Sequence, residues 1–131
     1  MTTANNDFLT ALLAPTNDVT KKVPMKRFGI DFTLKALTPA EATVITQRST
    51  RLTKSGKVFN EEMFNYLSIA AACVEPKWND ENLLMALGAA DEVDAIKKRL
   101  LFGEVTYLLS EIAELNGFDK SDEEMIEDVK N

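Results

Sequence analysis

Catalysis and metal binding need side chains that hold a proton, a metal or a nucleophile, and this sequence supplies few. It contains no histidine and one cysteine, Cys73. Ser-His-Asp and Cys-His arrangements, and metal sites built on His or paired Cys, therefore cannot be assembled from the chain alone. An internal disulfide is excluded for the same reason. Cys73 falls on or beside an apolar helical face and reads as a small buried hydrophobe, with no imidazole to activate it. The carboxylates remain. Glu111 and Glu114 are one helical turn apart, as are Asp91 and Asp94. Such a pair acts as general acid and base only when its surroundings push the two pKa values apart. Nothing near either pair is apolar enough, so both read as solvated helix faces. The five glycines, at positions 29, 56, 88, 103 and 117, match no phosphate loop or dinucleotide fingerprint. No DxDxDG-like loop offers a cation site. The expectation is no catalytic residue, no metal and no cofactor.

The composition narrows the class. A chain of 131 residues, 45% hydrophobic and 27% charged, describes one soluble globular domain. Its longest strongly apolar run, Leu67 to Val74, has eight residues, far below the roughly 20 that cross a bilayer. The N-terminus lacks a basic segment and carries Asp7 ahead of its apolar stretch, so no secretory signal is read there. With a lone thiol, an intracellular location is expected.

Charge is uneven. The net value is −6, yet residues 20–57 carry nine bases against two acids, and residues 58–118 carry four bases against eleven acids. The two halves are expected to neutralise each other across the fold, with a dipolar binding surface as the alternative. The acidic balance and the few aromatics among the bases disfavour nucleic acid as a partner.

Positioning elements follow from periodicity. Phe8, Leu9, Leu12 and Leu13 suit one face of a short terminal helix. Val23 and Met25, then Phe32 and Leu34, alternate with polar residues on either side of Gly29, which predicts an antiparallel ribbon. Pro24 confines its strand to an edge. Thr38-Pro39-Ala40-Glu41 is a capping box with proline at the first helical position, and the helix it starts is read as running to about Leu52. Lys54 to Lys57 reads as a turn. Asn60 starts a central helix whose apolar residues, from Met63 to Val74, recur every three or four positions. Pro76 ends it. Short helices follow, one capped by Asn79 or Asp80 and stopped by Gly88, the other starting from Asp91 and burying Val93, Ile96, Leu100 and Leu101. After a break near Gly103, Glu104 to Asn116 is strongly amphipathic. Gly117 stops that helix, and Phe118 folds back on its last turn. A final helix from Ser121 to Val129 is possible. The reading is an α+β domain over residues 19–118, with about five helices and one short ribbon. Residues 1–18 form an N-terminal segment, and residues 119–131 an acidic tail expected to be mobile.

Contact candidates are the ribbon bases Lys21, Lys22, Lys26 and Arg27, together with Trp78, Phe8 and Leu12. The bases serve either to keep the edge strand from aggregating or to receive an acidic partner. Trp78 reads as a core plug beneath its loop, or as an exposed anchor. The two terminal segments are candidate contributors to partner binding.

The order of several short motifs carries a resemblance. Val74-Glu75-Pro76, Leu83-Leu84, Leu87-Gly88-Ala89, Leu100 to Val105 and Ile112 to Phe118 resemble the XkdN-like phage tail assembly chaperones. The upstream ribbon with Ala36 to Glu41 is similar to that family's front half. Phe102 departs from a Pro-Gly-Glu element of the family. The resemblance implies a non-enzymatic cytoplasmic protein of a bacterial host that binds the tape measure protein during tail assembly, with tail tube subunits as a further candidate partner. It implies absence from the mature virion. A structural tail component retained in the particle is the alternative, and a small DNA-binding regulator is disfavoured by charge.

Overall fold

The computed structural model describes residues 3–14 and 19–118. In chain order these form α1 (Thr3–Leu13), β1 (Thr20–Met25), β2 (Ile30–Lys35), α2 (Pro39–Arg48), β3 (Thr50–Thr53), β4 (Gly56–Phe59), α3 (Glu61–Ala72), β5 (Cys73–Glu75), α4 (Glu81–Leu87), α5 (Glu92–Arg99) and α6 (Phe102–Leu115). The class is α+β, as the patterning predicts. The acidic tail and its possible helix lie outside the described residues.

The alternation in β1 and β2 produces the expected antiparallel pair, with Val23 opposite Phe32. Val23, Met25, Phe32 and Leu34 all turn to the core. The ribbon is not two-stranded, however. β5 pairs antiparallel with β2, giving the order β1-β2-β5. The apolar periodicity of α3 runs on through Val74, so Cys73–Glu75 reads locally as the end of a helix. Its pairing with Leu34 is a long-range contact that local spacing cannot report. Pro24 does sit on an edge strand, where its missing N–H is tolerated.

The capping box forms as read. The Glu41 N–H donates to Thr38 Oγ1 at 3.2 Å, and the Thr38 N–H donates to Glu41 Oε1 at 3.0 Å. α2 is shorter than expected and stops at Arg48. Thr50 to Phe59 instead form a hairpin, with Arg51 opposite Val58. Its β-branched and aromatic residues, Thr50, Thr53, Val58 and Phe59, favour strands. Leu52, read as a helical core position, is exposed in β3. Leu101 is likewise exposed, because α5 ends at Arg99 and Leu101 caps α6. The α6 start is set by Glu104, whose carboxylate accepts the Leu101 N–H at 2.8 Å.

α3 is the central helix and packs against α2, α5 and α6. α6 lies against β1 and β2. The core joins the sheet residues to Ile69 and Ala72 of α3, Ile96 of α5, and Leu108 and Ile112 of α6. Burying each large aliphatic side chain contributes about 1.5–3 kcal/mol.

Candidate partner-binding groove

The ribbon bases divide into two kinds. Lys21 Nζ lies 2.6 Å from Glu111 Oε2 and 3.6 Å from Glu114 Oε2. Its hydrogen bond to Glu111 holds the ammonium above its ordinary pKa. Arg27 grips Glu104 with two bonds, Nε to Oε2 at 2.9 Å and Nη2 to Oε1 at 2.6 Å, and Nη2 also donates to the Arg99 carbonyl at 2.8 Å. The guanidinium holds the Glu104 carboxyl below the usual range. Arg27 and Arg99 both lie over the Phe28 ring, 4.4 and 4.6 Å from its centre. Arg48 pairs with Glu92 at 3.0 Å. The basic first half and acidic second half therefore meet in ion pairs at the surface of the fold, and those of Lys21 and Arg27 tie the ribbon to α6. Lys22 and Lys26 are exposed.

Trp78 is 3% exposed and belongs to the core. Its ring meets Phe32 edge-on, centres 6.1 Å apart, and its Nε1–H donates to Cys73 Sγ at 3.3 Å. The plug role is the one the structure shows, which removes Trp78 from the surface candidates. Burial pushes the Cys73 thiol up to about 11, so it carries no thiolate at neutral pH. Phe8 and Leu12 are 69% and 78% exposed on α1. They share their uncovered face with Leu9 and Leu13.

The feature that sequence reasoning missed is a groove bounded by α2, α3 and α6, with a volume of about 520 Å³. Pro39, Ala42 and Ile45 form one wall, Leu109, Ala113 and Phe118 the other, and Phe64 and Ser68 the floor. None of its lining side chains is ionisable. It can bury apolar surface and orient it through a few amides and hydroxyls, but it cannot move a proton. At one end the Leu37 N–H donates to Asn116 Oδ1 at 2.7 Å. There the Phe118 N–H also returns to the Ala113 carbonyl at 2.9 Å, with Gly117 at φ +97°. That left-handed stop, expected from Gly117, turns Phe118 back along the groove wall. At the other end Phe64 meets Phe59 of the hairpin, ring centres 5.6 Å apart. The cleft on the other flank of α2 is different: Glu41, Arg48, Lys77 and Glu92 line it.

A signal for the groove did exist in the sequence. α6 carries Val105, Leu108, Leu109, Ile112, Ala113 and Leu115, more apolar width than one contact face requires. Leu108 is fully buried in the core, whereas Leu109 and Ala113 line the groove.

Among the described residues no helix is long and apolar enough to cross a membrane, and no group of three or more acidic or Cys residues gathers as a metal site.

Comparison with known proteins agrees with the fold and the motif order. A solved structure, the crystal structure of the protein YqbN, matches with a TM-score of 0.63 at 21% identity, over 84% of this chain and 95% of that one. At that identity the likeness is one of fold. No curated protein matches in sequence. The family profile described as phage XkdN-like tail assembly chaperone protein, TAC, matches residues 8–130. With nearly the whole length covered, the chain belongs to the XkdN-like phage tail assembly chaperones.

Proposed function

We propose that this tail assembly chaperone binds the tape measure protein and shields its apolar helical surface until tail tube subunits enclose it. The groove between α2, α3 and α6 is the binding site, and the tail tube protein is a second, transient partner. The observation that carries this reading is an open apolar groove without one ionisable lining group. An amphipathic helix presents an apolar stripe that such a groove can cover, the helix-in-groove mode of recognition. α2, which forms one wall, has ten residues and is about 15 Å long, room for roughly ten residues of a guest helix. The role needs no bond-making step. It places the protein in the cytoplasm of the bacterial host and outside the finished particle.

Co-expression with the tape measure protein tests the reading. The expected result is a soluble tape measure protein with the wild-type chain and an insoluble one with Ala113→Arg. Equal solubilisation by both overturns the groove assignment. Mass spectrometry of purified particles tests the transient role. Recovery of the chain in stoichiometric amounts would favour the alternative, a structural component retained in the tail.

A further inference from the structure

We propose that the β3–β4 hairpin is a docking arm on which an acidic, extended segment of another protein adds as a third strand. The inference concerns a second surface and does not rest on the groove.

The first observation is an arm with nothing over it. All of β4 is exposed, and no residue of β3 is buried. Leu52, Val58 and Phe59 are 78%, 45% and 50% exposed. Among the described residues neither strand has a neighbour on its outer edge. A two-stranded hairpin is marginal in water, and a third strand or a covering element stabilises it. This one is nonetheless well anchored. At its root the Asn60 N–H donates to the Ser49 carbonyl at 2.7 Å, and Thr50 Oγ1 donates to the Thr46 carbonyl at 2.7 Å. At its tip Thr53 Oγ1 donates to the Gly56 carbonyl at 2.7 Å. A template held in this way loses little freedom on binding. The hollow beside it, about 750 Å³, leaves room for an added chain.

Charge and register name the occupant. Lys21, Arg27, Lys35 and Arg48 each have a carboxylate partner. Arg51, Lys54 and Lys57 have none among the described residues. From Thr50 to Phe59 the hairpin contains no acid. The register sets Arg51 opposite Val58 and Leu52 opposite Lys57. Directly opposed residues share a face, so each face of the hairpin shows a base beside an aliphatic side chain. A strand added at β4 places consecutive residues beside Lys57 and Val58. One added at β3 places them beside Arg51 and Leu52. At either edge, adjacent positions call for an acid and an apolar residue. Main-chain bonds supply the affinity and these side chains the selectivity, as in β-strand addition generally. Nucleic acid fits less well. The arm's one aromatic, Phe59, is engaged by Phe64, ring centres 5.6 Å apart, so no free ring is offered for a base to stack on.

The test titrates the full chain into a fluorescein-labelled peptide alternating Glu and Val, followed by anisotropy. The expected result is binding that weakens as salt rises. Methylating alternate backbone amides of the peptide should abolish it, because a methylated amide cannot donate to a ladder. Arg51→Glu with Lys57→Glu should bind the acidic peptide at least about tenfold more weakly. The same double variant should bind a peptide alternating Lys and Val, a gain that misfolding cannot produce. Lys22→Glu, on the edge of the other sheet, should bind the acidic peptide as wild type does. Equal binding by wild type and the hairpin double variant overturns the inference. So does loss of binding on Lys22→Glu, which would move the site to the ribbon. Tighter binding of single-stranded DNA than of the peptide would make the arm a nucleic-acid surface. Self-association that the double variant abolishes would assign the arm to a second copy, and either result also overturns the proposal.

Discussion

The backbone N–H of Leu37 donates to the side-chain oxygen of Asn116 at 2.7 Å, across 79 residues of sequence. Leu37 leaves β2 towards α2, and Asn116 ends α6. The bond therefore ties the entry to α2 to the end of α6, and both residues line the groove.

Asn116→Ala should remove that tie. One ordinary hydrogen bond contributes about 0.5–1.5 kcal/mol, so the denaturant midpoint should fall modestly with an unchanged slope. Binding to the tape measure protein should weaken more than stability does. Equal affinity in the variant would mean that the groove is held by packing alone.

Gly117→Ala tests the same end of the groove through the backbone. Gly117 sits at φ +97° with open space where a Cβ would project. The cost is conformational rather than steric and should be about 1–2 kcal/mol. A variant as stable as wild type in a urea titration would show that the turn relaxes freely.

Trp78 is the only tryptophan, and its burial makes it a reporter. Its emission should be blue-shifted in the native state and move to the red on unfolding. Trp78→Ala should cost about 3–5 kcal/mol, as large-to-small core changes do, and Trp78→Phe much less. Calorimetry separates this structural role from a surface one: an unchanged Tm with lost partner binding would reverse the assignment.

Acid should destabilise the fold through Glu41, Asp94 and Glu104. Backbone N–H donors hold Glu41 and Asp94 below their ordinary values of 4.5 and 3.8, and Arg27 does the same for Glu104. A carboxyl lowered in the folded state adds stability above its unfolded pKa and loses it as pH falls through the folded one. Thermal melts should therefore hold steady from neutral pH to about 5 and decline below that. Glu104→Gln should start lower at pH 7 and show a shallower decline. An identical pH profile in the variant would exclude the Arg27 pair as a contributor.

Ala113→Arg and Lys22→Glu separate the groove from the ribbon edge. Ala113 is half-buried in the α6 wall, and Lys22 is exposed on β1. Both variants should stay folded. The first should lose binding to the tape measure protein by more than tenfold in a pull-down titration, and the second should retain it. The opposite pattern would move the site to the basic edge.

Local chemistry was legible without the fold. Thr38 and Glu41 form their capping box because its partners are three residues apart. Gly88 and Gly117 end α4 and α6 because each carries the positive φ of a left-handed stop. The alternation around Gly29 buried Val23 and Phe32 as read, and the missing histidines excluded whole classes of site.

Long-range pairing was not legible. β5 exists because Leu34 lies beside Cys73, and α2 yields to a hairpin after Arg48 although its stripe continues to Leu52. The sequence predicts that its two charged halves neutralise each other, but only the fold pairs Lys21 with Glu111 and Arg27 with Glu104, 90 and 77 residues away. The groove depends on the same kind of closure: α6 has apolar width to spare, and only its packing with α2 and α3 decided that Leu108 would be covered while Leu109 and Ala113 would line the groove. Sequence spacing reports contacts within a turn or a strand, whereas a shared surface arises from distances between residues that the chain keeps far apart.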